Sequence, residues 1–312
     1  MHIKIIGSAA GGGFPQWNCN YRLSRAARDG VAGVQPRTQS SLAASADGHG
    51  WVLFNASPDI RQQIAATAQL QPQTGSPLRS TPIRAIVLTN GDVDHIAGLL
   101  SLRERQPFAI YATSQVLAAL DANSIFNVLD PEIVPRRTLD IPGETDIEDA
   151  EGNATGIRVE AFAVPGKIAL YLEDARRPDA NFGSDEGDTI AVRLVGDTPE
   201  NSAFYIPGCA RIDNALRNRL AGAACLLFDG TLYTDDEMIT SGVGTKTGAR
   251  MGHIAMSGKT GSIAGLEGVP ISRRIFVHIN NTNPVLDESS AEHAAVQAAG
   301  WEIGFDGMEV EL

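Results

Sequence analysis

One stretch decides most of what this chain can be. Leu88-Thr89-Asn90-Gly91-Asp92-Val93-Asp94-His95-Ile96-Ala97-Gly98-Leu99-Leu100 follows an apolar run, Ile83 to Leu88, and leads into a helix-period run, Ile96 to Arg103. A short apolar run bounded by turn residues predicts a buried strand. Two carboxylates and an imidazole therefore stand where the C-terminal end of a strand feeds a helix, and open α/β sheets collect ligands at such ends. Oxygen and nitrogen donors crowded onto one turn suit a divalent cation. An Asp at that position equally suits the N-cap of the helix and its dipole. The spacing alone leaves cap and cation both open.

Around this turn the chain has room for one large domain or two, with 312 residues of which 43% are hydrophobic. No run approaches the ~20 apolar residues that a membrane-spanning helix needs, so no membrane insertion is expected. Met1-His2-Ile3-Lys4-Ile5-Ile6 passes straight into a strand without the apolar region of a secretory signal, and a cytoplasmic location is expected. The net charge of −12 weighs against nucleic acid as the main partner, because such proteins usually present a basic surface. Cys19, Cys209 and Cys225 are odd in number and far apart, which does not suggest a disulfide framework.

Taken in order, Ile3–Ile6 reads as the first strand and runs into the glycine-rich loop Gly7 to Asn20. That loop lacks the third glycine of a dinucleotide fingerprint and the Gly-Lys-Ser/Thr ending of a P-loop. Its glycines instead let backbone approach a ligand or pack closely. Thr38–Ala44 and Trp51–Asn55 predict a strand pair turning at Asp47-Gly48. Asn55 to Arg61 opens a helix, and Gln69 to Pro82 is a surface loop. Phe108–Tyr111, Val134–Ile141, Ile157–Val164, Thr189–Val195, Ala203–Ile206, Ala224–Phe228, Arg274–Ile279 and Met308–Leu312 read as strands. Ser114–Leu120 and Glu288–Ala299 read as helices. Pro142 to Asn153 is expected to be an acidic, solvated connection, and Glu173 to Asp188 a polar loop over the site.

The central turn resembles the metal-binding signature of the metallo-β-lactamase superfamily, His-x-His-x-Asp-His after a Thr. Asn90 stands for the first His and Asp92 for the second, while Asp94 and His95 match. The glycine-rich opening, with Gly7 to Asn20, is similar to that of the coenzyme PQQ (pyrroloquinoline quinone) biosynthesis protein B family, and the likeness extends from Ile3 to the C-terminus. Family members often carry a Cys-Asn-Cys-x-x-Cys cluster in this loop; here Tyr21 and Ser24 follow Cys19, and a lone thiolate builds no tetrahedral site, so no structural zinc is expected. The resemblance implies a four-layer αββα sandwich formed by one domain, residues 1–312, with internal pseudo-duplication. It implies that Asp59 either orients the metal-binding loop or caps a helix. It sets Lys167 where another His ligand is usual, Cys209 where a bridging Asp is usual, and His278 where the last metal-ligand His lies.

Counting donors then separates the chemistries. One set survives, Asp94, His95 and His278: two imidazoles and a carboxylate, the composition of the facial triad that favours Fe(II) and dioxygen. Three ligands plus water also make a valid zinc site, so zinc is an alternative occupant. Asp92, either an extra ligand or a group that orients a ligand His, and His253 are the candidate assisting residues, and Lys167, Arg61 and Asn280 the candidate substrate-binding ones. Cys209 reads as a small buried residue or a thiolate ligand. The family resemblance implies an iron-dependent hydroxylase acting on the tyrosine-derived ring of the peptide-derived PQQ precursor. The alternatives are a non-catalytic carrier of PQQ or its precursor toward the periplasm and, third, a metallo-hydrolase. Other PQQ biosynthesis proteins are the implied partners, and a homodimer is compatible with the resemblance.

Overall fold

Strands that bury both faces need a layer on each side, and this requirement organises the molecule. In the computed structural model, which describes residues 1–173, 187–196 and 201–312, Ala203 and Tyr205 enter one core while Phe204 and Ile206 enter another. Cys225 and Leu227 separate from Leu226 and Phe228 in the same way. This is the period-2 alternation of a strand with apolar residues on both sides. Residues 174–186, most of the polar loop expected over the site, lie outside the described residues.

The described residues form two seven-stranded sheets. The first uses β1 (His2–Gly7), β2 (Ser41–Ser45), β3 (Trp51–Phe54), β4 (Ile83–Val87), β5 (Ala109–Ala112), β6 (Arg136–Thr138) and the C-terminal β14 (Glu309–Glu311). The second uses β7 (Gly143–Glu148), β8 (Ala154–Ala163), β9 (Ile190–Val195), β10 (Ala203–Ile206), β11 (Cys225–Asp229), β12 (Arg273–Val277) and β13 (Glu302–Ile303). Their orders are β14-β1-β2-β3-β4-β5-β6 and β13-β12-β11-β10-β9-β8-β7. In each, antiparallel pairing gives way to parallel pairing part-way across, at β3 and at β10. Three cores separate four layers. Ile3, Leu42, Phe54 and Val87 meet Val159, Val192, Leu227 and Ile275 between the sheets. Ile86, Leu88 and Ile110 pack on Ile60, Leu99 and Val116 outside the first sheet, and Phe204, Phe228 and Phe276 on Leu220, Val296 and Trp301 outside the second. The expected αββα sandwich is therefore the observed architecture.

One expectation is corrected. Glu144, Asp146 and Glu148 do not mark a solvated loop but alternate along β7, with Ile147 buried between the last two. Among the described residues this strand pairs only with β8 and stands at the edge of its sheet. Charged residues on an edge strand block pairing with another chain, which is why its composition reads as loop. The run after the central turn is helical, but it begins earlier and mostly not as α-helix: Val93–Ile96 is α-helical and Ala97–Leu102 continues as a 3-10 helix. No helix among the described residues is long and apolar enough to cross a membrane.

Candidate metal centre

The parallel strands β4, β11 and β12 end at the same edge of the sandwich, and each delivers polar side chains there. After β4 come Thr89, Asp94 and His95. The end of β11 supplies Asp229 and Thr231, and the residue after β12 is His278. His278 has φ +56, a left-handed backbone that a bulky residue rarely adopts. Such strain persists only where the surroundings hold the residue in place. Here the imidazole is held at both nitrogens: Nδ1 lies 2.8 Å from Thr231 Oγ1 and Nε2 lies 3.1 Å from Asp94 Oδ2. The fully buried His95 sits edge-on to it, with ring centroids 5.4 Å apart. His95 Nδ1 faces Thr89 Oγ1 at 3.3 Å, and its Nε2 points toward Asp94 Oδ2 at 3.8 Å. One donor atom from each of Asp94, His95 and His278 falls within 4.8 Å of the other two.

A second group shares His278. His253 stacks on its ring at 5.1 Å and pairs through Nδ1 with the buried Asp229 Oδ2 at 2.7 Å. Asp229 Oδ2 also accepts from the Cys209 backbone N–H at 2.9 Å, and Oδ1 accepts from the Thr231 hydroxyl at 2.6 Å.

These contacts set the charges. Burial opposes ionisation of Asp94, but the His95 and His278 imidazoles outweigh it and hold its carboxyl well below the usual range. Burial pushes His95 down to about 4, so the ring is neutral and presents one lone pair. Burial disfavours the cationic form of His278, yet its hydrogen bond to Asp94 and the charges of Asp94 and Asp229 raise it overall. Asp229 resists its burial through the His253 pairing and stays below the ordinary carboxylate range.

The remaining candidates are placed differently. Asp92 occupies the N-cap position of Val93–Ile96 without capping it. Its Oδ1 accepts from the Leu170 N–H at 3.2 Å and lies 3.7 Å from Lys167 Nζ. Lys167 also lies 3.6 Å from Glu173 Oε1 and donates to the Ile168 carbonyl at 3.2 Å. Arg61 stands exposed on the helix Ile60–Ala66 and makes no hydrogen bond or ion pair among the described residues. Asn280 turns its amide to Thr282 Oγ1 at 2.6 Å and Met238 Sδ at 3.0 Å. Asp59 neither caps its helix nor reaches the cluster; it accepts from the Gln39 backbone and side-chain amides at 2.9 and 3.0 Å. Cys209 is fully buried, its thiol is pushed up to about 12 by burial, and its Sγ donates to the Arg211 carbonyl at 3.1 Å. In this arrangement it is a packed thiol.

The profile of the beta-lactamase superfamily domain covers residues 50–279. The coenzyme PQQ synthesis protein B of Methylorubrum extorquens strain PA1 is 52% identical over the full length of both chains. The chain belongs to the coenzyme PQQ synthesis protein B family. A crystal structure of zinc-bound PqqB from Methylobacterium extorquens superposes with a TM-score of 0.93 at 51% identity, covering all of both chains. A diphosphatase of the PhnP family, 18% identical with a TM-score of 0.65 over 100% of this chain and 97% of its own, shares the fold.

For this member of the family, the donor set itself tests whether a cation fits. His95 Nε2 is buried and has no hydrogen-bond partner, an arrangement that is costly unless something else takes its lone pair. Gly11 lies against Asp94, where a Cβ would stand 3.4 Å from Oδ2, so the glycine-rich loop leaves that carboxylate uncrowded. The Asp229–His253 pair, by contrast, already satisfies its own donor and acceptor. The residues around Asp94 fit a divalent cation; those around Asp229 fit a hydrogen-bonded dyad.

Sequence reasoning passes over three residues of this site. Asp229 and Thr231 close an apolar strand and carry no spacing signal. Asn55, at φ +66, accepts from the Thr89 N–H at 2.9 Å, and its side chain meets the Thr89 hydroxyl. Only the meeting of β3, β4 and β11 ends reveals them. A lone Asx directly after an apolar strand is the signal that was available.

Proposed function

We propose that this chain acts in the synthesis of coenzyme PQQ as a hydroxylase of the tyrosine-derived ring in the peptide-derived precursor, with one divalent cation, Fe(II), held by Asp94, His95 and His278. The observation that carries this reading is the convergence of three donor atoms, one of them an orphaned and buried His95 Nε2, beside a dyad whose donors are already paired. The zinc-bound relative supports a divalent ion in this fold. Fe(II) held by these two imidazoles and the carboxylate would supply electrons to dioxygen, which no side chain of the cluster does alone.

The overall change replaces an aromatic C–H by C–OH. One oxygen atom of dioxygen enters the ring, and the other leaves as water with two electrons from a reductant and two protons. The chain's own residues orient and move protons. Asp229 fixes His253 through Nδ1, which leaves Nε2 to take the ring proton. Thr89 and Thr231 hold the ligand imidazoles. Lys167, set between Asp92 and Glu173, offers the precursor's carboxylate a partner at the cost of one of these pairings. We read the two sheets, with their matching change from antiparallel to parallel pairing, as halves of one domain.

The test is anaerobic loading with Fe(II), then dioxygen uptake with a tyrosine-bearing precursor peptide and a reductant. Uptake that stops when zinc replaces iron supports a hydroxylase. Conversion of the precursor with zinc and without dioxygen uptake would make the chain a hydrolase, and tight binding of PQQ with no uptake would make it a carrier.

A further inference from the structure

The two ligand imidazoles are held by the same device, built once in each sheet. In the first sheet, Asn55 at the end of β3 meets Thr89 just after β4, and Thr89 Oγ1 meets His95 Nδ1. In the second, Asp229 at the end of β11 meets Thr231, and Thr231 Oγ1 meets His278 Nδ1. The tautomer of His278 follows from donor counting. A carboxylate only accepts, so the Thr231 hydroxyl spends its one proton on Asp229 Oδ1 at 2.6 Å. Toward His278 it can then only accept. His278 must donate from Nδ1; at Nε2, the proton shared with the Asp94 carboxylate at 3.1 Å would give way to a bound cation, to which Nε2 would then turn its lone pair. Asn55 is less strict, because its amide lies within reach of the Thr89 hydroxyl as donor at 3.0 Å and as acceptor at 3.1 Å. The distances follow the same order, 2.8 Å for Thr231 to His278 and 3.3 Å for Thr89 to His95.

We infer that Thr231 and Thr89 are positioning residues that lock both imidazoles as Nδ1–H tautomers with Nε2 converging on Asp94, and that Thr231 is the stronger lock of the two. The inference deepens the proposed cation site and rests on it. Groups that orient metal-bound imidazoles are worth about 10- to 100-fold in affinity.

Zinc affinity by chelator competition provides the test, on the full chain and on Thr231→Val, Thr231→Ser, Thr89→Val and Thr89→Ser, together with nitrogen-15 shifts of labelled histidine in the zinc-loaded parent. The expected result is about a 10- to 100-fold loss for Thr231→Val, a smaller loss for Thr89→Val, near-recovery in both Ser variants, and Nε2-bound, Nδ1-protonated rings for His95 and His278. Parental affinity in Thr231→Val, a loss as large in Thr231→Ser, or Nδ1 ligation in the parent overturns the inference. Failure of the parent itself to bind zinc overturns the cation site instead. If Thr231→Val does not fold, Thr231→Ser and the parent's histidine shifts decide.

Discussion

His278 Nε2 lies 3.1 Å from Asp94 Oδ2, although 184 residues separate the two in the chain. One belongs to the turn after β4, the other to the end of β12, so this contact joins the two sheets at the candidate centre. Two negative or lone-pair-bearing atoms this close need a proton or a cation between them. Asp94→Asn removes the charge that makes the cation the better partner. The variant is expected to lose at least about 100-fold in cation affinity, more than a change outside the ligand set costs. Calorimetric titration with Zn²⁺ measures this, and an affinity within threefold of the parent would contradict it.

His253 contributes a different function and gives a separable result. It stacks on His278 but is anchored to Asp229, so its loss removes a proton acceptor and leaves the three converging donors in place. His253→Ala is expected to keep one cation per chain while turnover falls about 100-fold or more, the usual scale for a lost general base. Cation content and single-turnover rate, measured on the same preparation, check both halves. Loss of the cation along with activity would make His253 a ligand.

The helix that follows the turn is held by a close backbone approach at Gly98. A Cβ there would stand 2.1 Å from the Ser57 carbonyl oxygen and 2.7 Å from that of Ala56. The same segment fixes His95, whose carbonyl accepts from the Ala56 N–H at 2.7 Å. Gly98→Ala must push the helix off this seat, at a cost of about 2 kcal/mol by analogy with other overpacked sites. Both thermal stability and zinc affinity are expected to drop. A variant with unchanged melting temperature would show that the seat yields freely.

Glu237 gives a pH signature away from the cluster. It is buried, accepts from the Tyr233 N–H at 2.7 Å and the Thr282 hydroxyl at 2.5 Å, and burial pushes its carboxyl up to about 7. The folded chain therefore keeps a proton that the unfolded chain has released above the ordinary carboxylate range. Its contribution to stability is full below that range and is lost as pH rises toward 7. Glu237→Gln, which carries no charge to bury, is expected to be more stable than the parent at pH 8 by on the order of 2 kcal/mol and to lack this slope. Urea denaturation at pH 5 and pH 8 tests it; parallel pH profiles for the two proteins would refute it.

These residues also show what a sequence reader can and cannot see. Central strands such as Ala203–Ile206 are legible because burial on both faces leaves an unbroken apolar run, and four layers follow from many such runs. The edge strand β7 is hidden because solvent and the need to repel other strands fill alternate positions with acids. At the centre, the turn from Asn90 to His95 announces itself by crowding donors into a few residues. Asp229 and Asn55 do not, since each is a single polar residue closing an apolar strand, and its partner lies on another strand. Lys167 and Asn280 illustrate the converse: proximity in sequence to a motif does not fix which way a side chain turns, and here one meets Asp92 and Glu173 while the other meets Thr282 and Met238.

Metal analysis of protein purified without air and loaded with Fe(II), carried out beside His278→Ala, tests the cation site most directly. One divalent ion per chain in the parent and none retained in His278→Ala is the predicted result. Two ions per chain, or an ion count that His278→Ala leaves unchanged, would contradict it.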